Sequence, residues 1–514
     1  MSRKPAETVL EIINQRMIPN EQAKKARGEV FTPIPLVREI LYGLRKAPLE
    51  KGIEEVWGVD VNGNIIEDTS ERVGGIPLEV WRNPESKWID PANGIGNFPF
   101  VAFQMLDFQL KNNIKDTVAR HKHIINKMLY MIEIDKSNVN TAFKIFEQLA
   151  PGSTPNICCA DTLKLTDLSK EFGVSTFDVV MGNPPFNEGG TKHHGGRGFY
   201  SLFIQFGINS LKDGGCLAFI NPPNFHRIDK DGSKIKVKQF FSENNLIFLR
   251  IIPNTKKYFD VQISIDYYVV QKAPNKKTAV IYDKHNHLTT GVDISIFDVV
   301  PNFGFEVIKK LVGARASVGN FKAEVSRTSA NHASLSQLFN NGTYPIVHLI
   351  NANGIRILLS NKKHPSQDTS KIIINGLGVP YVLDDTAGKY GITQLGMLVL
   401  TPSDREKIFM FSRLFQYLNW AFRIQGNLND PFLFKIMPDL NKITYNDEES
   451  MFKALGVEQY RKEIDEYKVP VFQNVEKIDT SKGKKSKVVE DDLGEGGKRT
   501  TRRNRIRGTT MRNK

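Results

Sequence analysis

Cysteine is scarce, with three in 514 residues and two of them adjacent at Cys158 and Cys159. That excludes a disulfide framework, and no Cys/His grouping has the spacing of a zinc site, so no metal is expected and the thiols read as buried apolar residues of a reducing compartment. Long apolar runs are missing too. No stretch approaches the roughly 20 residues that a membrane span needs, and polar residues interrupt MSRKPAETVLEIINQR too often for a signal-peptide core. No membrane association is expected, and the expected compartment is intracellular. Internal repeats of 20 to 50 residues are absent, which argues against a solenoid or propeller.

The rest of the composition is that of a globular protein, 40% hydrophobic and 25% charged. The length predicts two or three domains, since a single core rarely grows past roughly 250 to 300 residues. A net charge of +14 points to a polyanionic partner. Much of it is local: Thr480 to Lys514 holds 12 Lys/Arg against 4 Asp/Glu, a net of +8, which leaves +6 for the rest. With almost no apolar residues, that stretch is expected to be disordered and to lie along phosphates without reading sequence, or simply to solubilise or target the chain.

Short apolar runs at Lys87–Asp90, Met128–Ile134, Thr154–Ala160, Phe177–Met181, Gly215–Ile220 and Leu246–Ile252 alternate with segments long enough for helices. Asp260–Val270 reads as the final strands. Strand, crossover, strand is the pattern of a doubly wound α/β sheet, which binds ligands beyond the carboxyl ends of its strands. After Lys272–Lys277 the texture changes to short strands, loop signals and helices near Ser403–Ile424 and Glu448–Tyr467, a second domain of mixed α+β type.

The chemistry-bearing residues sit at the strand ends. The first strand runs into Asp90-Pro91-Ala92-Asn93-Gly94-Ile95-Gly96, where two glycines let the backbone pass close to a ligand. An acid in front of that turn suits an ammonium better than a pyrophosphate. Glu133, at the end of the next strand, is placed to bind ribose hydroxyls, although it lies about twice the usual ~20 residues beyond the turn. Two helices, near Phe98–Leu110 and Ile114–Lys127, fill that distance. The third strand ends at Asp161, an acceptor for an adenine amino group.

The strongest signal is Asn183-Pro184-Pro185-Phe186 after a buried strand. An exocyclic amine on an aromatic ring is a poor nucleophile because its lone pair is delocalised. The Asn183 side-chain oxygen and the Pro184 carbonyl can each accept one amine hydrogen, drawing the nitrogen toward a pyramidal state. Pro185 stiffens the turn, and Phe186 offers a face for a planar base that has left its stack. No general base is required, because the proton can leave after transfer.

As an ordered set, these motifs resemble the γ-group amino-methyltransferases, the DNA adenine-N6 enzymes of restriction-modification systems, over roughly Gly28 to Val270. An N-terminal Phe31-Thr32-Pro33 completes the family pattern. The resemblance implies S-adenosylmethionine as cofactor, held by Phe31, Thr32, Pro33, Asp90, Pro91, Asn93, Gly94, Gly96, Glu133, Asp161 and Asn183. The methionine carboxylate would lie at Thr32, its ammonium at Asp90. It implies catalysis on Asn183, Pro184, Pro185 and Phe186, base stacking on Phe186 and Phe259, and double-stranded DNA as partner, with a separate restriction endonuclease possible. Location at the DNA follows, in the cytoplasm, or in a nucleus if the host is eukaryotic or viral. The glycine-rich stretch Asn187–Gly198, with His193, His194 and Arg197, is expected to be a lid or DNA-contacting loop. The expected domains are a helical extension (1–27), the catalytic domain (28–275), a target-recognition domain (276–470) and the tail (471–514). An RNA base or a protein glutamine presents the same planar amine, and a non-catalytic DNA-binding subunit could keep the fold, so these stand as alternatives.

Overall fold

The computed structural model describes residues 11, 13, 31–46, 55–186, 199–223, 237–259, 264–328, 339–392, 396–423, 429–472 and 475–478. The stretch 187–198 and the basic residues beyond 478 lie outside them, as does all of the N-terminal extension but residues 11 and 13.

A helix at Ile34–Tyr42 follows the Phe-Thr-Pro turn, with Pro35 in its first turn, where proline costs no hydrogen bond. A two-strand ribbon, β1 (Leu44–Arg45) and β2 (Arg72–Val73), then brings the chain to the central sheet. That sheet contains β3 (Trp88–Asp90), β4 (Leu129–Glu133), β5 (Asn156–Cys159), β6 (Phe177–Gly182), β7 (Leu211–Asn221), β8 (Asn244–Ile252), β9 (Ile265–Pro274), β10 (Ala279–Tyr282) and β11 (Leu288–Val292), in the order β11-β10-β8-β9-β7-β6-β3-β4-β5. Strands β5, β4, β3, β6 and β7 are mutually parallel, and β9 runs against its neighbours β7 and β8. The doubly wound α/β reading therefore holds.

Both sheet faces are buried, which explains why these strands read as apolar runs rather than as an alternation. Trp88, Val179, Met181, Cys216 and Ala218 face one core layer, with the helices Ile34–Tyr42, Asn97–Gln109 and Lys136–Leu149. Ile89, Val180, Leu217 and Phe219 face the other, as the period of two along a strand demands. The chain reverses its direction of growth between β3 and β6, so their adjacent carboxyl ends form the switch point where such folds bind ligands.

Two boundaries differ from expectation. Strands β10 and β11 extend the central sheet to Val292, so the limit near residue 275 falls inside the sheet. The texture change at Lys272–Lys277 marks only the turn between β9 and β10. Within the stretch expected as tail, Glu476–Ile478 forms a strand that pairs with Ile355–Ile357.

The remaining chain forms two four-stranded sheets: β12 (Glu324–Thr328) joins β15 (Lys371–Asn375), β16 (Val382–Asp385) and β18 (Gly396–Leu400), while β13 (Phe339–Asn351) joins β14 (Gly354–Ser360), β17 (Gly391–Ile392) and β19 (Glu476–Ile478). Ile373 and Leu398 pack toward the second of these sheets. Ile372, Ile374, Met397 and Val399 turn to a helical layer continuous with one face of the central sheet. The second part therefore shares a core with the first. Among the described residues no helix is long and apolar enough to cross a membrane.

A buried polar cluster fastens the first helix to the far side of the sheet. Glu39 accepts from Tyr267 (2.8 Å), from Tyr258 (3.1 Å) and from Arg250, with which it is ion-paired. Arg250 also lies 5.3 Å over the Tyr282 ring. Removing one partner strands the other's charge in the core, so Glu39→Ala is expected to cost about 3–5 kcal/mol of stability. An unchanged denaturant midpoint would contradict the clamp.

Candidate active site

The parallel strands deliver three acids and the Asn-Pro-Pro turn to one edge of the sheet. Asp90 closes β3 and is fully buried. Its Oδ1 accepts from the Ala92 amide at 3.0 Å. Burial, reinforced by nearby Glu133, pushes its carboxyl up to about 8 despite that amide. Beside it, β6 ends at Gly182, where an added Cβ would come within 2.7 Å of Asp90 Oδ1. Only glycine lets the Asn183 turn approach Asp90 this closely.

The glycine turn is bound on two sides. Gly94 and Gly96 have φ values of +56° and +99°, and Cβ atoms there would press on the rings of Phe31 and Phe146 at 3.0 Å. Glu133 Oε2 accepts the Gly94 amide at 2.8 Å, and Oε1 the Asp135 amide at the same distance. Asn93 is tied through its own amide to the Ile132 carbonyl at 3.0 Å. From the N-terminal side, Asn97 donates to the Thr32 carbonyl at 2.8 Å. Phe31, Thr32, Asp90, Pro91, Asn93, Gly94, Gly96 and Glu133 thus converge, although 58 residues separate Thr32 from Asp90. Pro33 stands at the N-cap of the first helix.

Asp161, expected as an acceptor for an adenine amino group, also makes local bonds. One oxygen caps the short helix Thr162–Lys164 through the Leu163 amide (3.1 Å), and the other pairs with Lys164 (3.1 Å). The neighbouring Thr162 hydroxyl donates to Pro91 at 2.5 Å, locking this strand end to the glycine turn.

Pro184 is buried, while Asn183, Pro185 and Phe186 are half-buried at the edge. Phe186, Tyr258 and Phe259 all lie against the core layer of the first helix. Tyr258 is held there by Glu39, and the Phe259 amide donates to the Thr255 carbonyl at 2.8 Å. Neither the Glu39 tie nor the Thr162 tie shows in local sequence, because each joins residues at least 71 apart. Ile134, which follows Glu133, leaves 58% of its surface exposed.

Thr32 Oγ1 and Asn93 Oδ1 are buried beside the turn with no hydrogen-bond partner among the described residues. Buried polar atoms are rarely left so. With buried Asp90, whose carboxyl burial pushes up to about 8, they leave polar atoms unspent beside the turn.

Residues 54–259 match the family model of the Eco57I restriction-modification methylase. This segment resembles those methylases. The Eco57I-type segment holds all the convergent residues except the Phe31–Pro33 turn. A curated protein of Mycoplasma pneumoniae described as an uncharacterized adenine-specific methylase is 24% identical over 197 aligned positions, 26% of this chain and 47% of that protein. The chain thus spans about half the length of the curated relative it matches. Solved structures with similarity include the DNA complex of the type IIL restriction-modification enzyme MmeI (10% identity, 76% of this chain and 66% of that one, TM-score 0.46). Another is the M protein of the type I enzyme EcoKI (15% identity, 50% and 58%, TM-score 0.32). Among the described residues, no group of three or more His, Cys, Asp or Glu is arranged to hold a metal ion.

Proposed function

We propose that this protein is a site-specific DNA methyltransferase that transfers the methyl group of S-adenosylmethionine to N6 of an adenine rotated out of double-stranded DNA. The observation that carries the reading is the close approach of Gly182, which leads into the Asn183 turn, to Asp90, because it would set an amine-binding turn beside a cation-binding acid. The match of residues 54–259 to the Eco57I restriction-modification methylase model supports methyl transfer, and the likeness to the adenine-specific methylase of Mycoplasma pneumoniae supports the adenine amine as target.

The pocket fits the cofactor's parts. Thr32 Oγ1 and the backbone at Phe31 would hold the methionine carboxylate. Asp90 would pair with the ammonium, Glu133 would bind the ribose and Ile134 would lie under the purine. Asp161 has part of its capacity taken by its cap, so its remaining lone pairs would serve the adenine amine. When bound, the cofactor supplies an electrophilic methyl group on sulfur. Asn183 and the Pro184 carbonyl polarise the target amine by accepting its two hydrogens, and Phe186 and Phe259 hold the base plane. No side chain needs to take the proton before transfer, and water can remove it afterwards.

A pH dependence follows. Asp90 is protonated in the free protein below about pH 8, and pairing with an ammonium requires the carboxylate. Cofactor binding should therefore release one proton, and affinity should weaken by about tenfold per pH unit as pH falls below that value. Calorimetry in two buffers of different ionisation enthalpy reads the proton directly. Equal affinities at pH 6 and pH 8 would remove Asp90 from this role.

The test of the whole reading offers labelled S-adenosylmethionine with unmethylated DNA, RNA and protein in parallel. Label in DNA is the expected result. Label confined to RNA or protein would overturn the substrate while keeping the chemistry.

A further inference from the structure

Between β15 and β16 the chain makes a short loop, Gly376-Leu377-Gly378-Val379-Pro380, whose backbone is fastened from inside. Six consecutive carbonyls are satisfied. Asn429 takes those of Asn375 (2.9 Å) and Gly376 (2.8 Å), the Asn375 side chain that of Leu377 (2.5 Å), and Arg423 that of Gly378. The Tyr381 amide takes that of Val379 (3.0 Å) and Gln416 that of Pro380 (3.1 Å). The side chains of Asn375, Gln416, Arg423 and Asn429 are all buried. On this fixed frame Leu377 and Val379 are held outward, 44% and 42% exposed.

Loops usually keep freedom and present polar groups. This one has given up its freedom to expose two aliphatic side chains. Its anchor is also unusual. Arg423 is 8% exposed, packs 3.8 Å over the Trp420 ring and donates only to neutral oxygens, with no carboxylate in ion-pair range among the described residues. A cation with no counter-charge among the described residues stands at the root of the apolar tip.

We infer that the Leu377–Val379 loop is a wedge for duplex DNA, pressing its two aliphatic side chains against a base step while the uncompensated Arg423 charge favours the flanking phosphates. The inference rests on the reading of the protein as a DNA methyltransferase. Two side chains are far too little surface for a stable protein interface, which buries at least ~1,200 Å². They match what a wedge between base steps needs, because small apolar side chains unstack neighbouring bases and ease the opening of the duplex. A rigid frame is what such a device requires, since a loose loop would fold its apolar tip away rather than push.

The test compares the full-length protein with its Leu377→Ser/Val379→Ser double variant, using duplex DNA that contains a substrate site and a fluorescent adenine analogue at the target. The double variant should lose about tenfold to a hundredfold in duplex affinity and most of the fluorescence rise that reports base opening. Cofactor affinity and the melting midpoint should be unchanged. A second variant, Gly378→Ala, leaves both aliphatic side chains in place but adds a Cβ at φ +70°, where nothing lies within 4 Å; it should weaken duplex binding through the frame alone. If the double variant binds and opens the duplex like the parent, the wedge is wrong while the methyltransferase reading stands. If the parent itself binds no DNA, both fall. If sedimentation shows that the double variant dissociates an oligomer of the parent, the loop is a contact between chains and the wedge is wrong.

Discussion

Asn183→Ala is expected to reduce methyl transfer by about two to three orders of magnitude, the scale on which removing one preorganised hydrogen-bonding group acts in other enzymes, while cofactor affinity changes little. The reason lies in the division of labour along the sheet edge. The cofactor's charged parts are assigned to Thr32, Asp90 and Glu133, and the target amine to the asparagine oxygen. That oxygen acts on the amine as it pyramidalises, an interaction stronger in the transition state than in the bound substrate, so the loss should fall on kcat. Asn183→Asp should be almost as poor: its carboxylate still accepts, but it brings a negative charge next to buried Asp90. Equal losses in turnover and cofactor binding would instead make Asn183 a structural part of the cofactor pocket.

Asp90→Asn should show the reverse pattern. Losing one member of a buried charge pair costs about 2–5 kcal/mol of binding, so cofactor affinity should fall by about thirtyfold or more, and measurable turnover should return at high cofactor concentration. Stability should move the other way. The folded carboxyl is raised to about 8 from roughly 4 in the unfolded chain, so the folded state holds a proton the unfolded chain has released. That linkage lowers the parent's stability as pH rises from about 4 to about 8. The asparagine variant escapes this decline and should outlast the parent in urea at pH 9, while matching it near pH 5. A variant that loses stability at both pH values would show that Asp90 is held by contacts other than those around the turn.

The sheet was largely legible in the sequence because a parallel strand buried on both faces is an uninterrupted apolar run, and its end is marked by the first polar residue. Asp90, Glu133 and Asn183 were visible as such breaks. Strands β10 and β11 were not, because a Lys- and Pro-containing turn precedes them and only one of the five residues of β11 is buried, so their apolar signal is weak. Local sequence also hides whatever closes over long separations. Arg250 meets Glu39 from 211 residues away. Thr162 locks the glycine turn from outside the motif. The cap formed by Asp161 could have been suspected, since an acid followed by Thr and Leu is a common helix start, but a strand-end acid and a helix cap look alike until the chain is folded. The aliphatic tip at Leu377 and Val379 reads as an ordinary Gly-rich turn until the four buried side chains beneath it are placed.

The most direct test of the central claim is enzymatic digestion of duplex DNA after incubation with the protein and S-adenosylmethionine, followed by separation of the nucleosides, with the Asn183→Ala protein as control. N6-methyladenine from the parent and almost none from the control is the predicted result. N4-methylcytosine, which shares the exocyclic amine but not the base, or no methylated nucleoside from a protein that binds the cofactor, would contradict it.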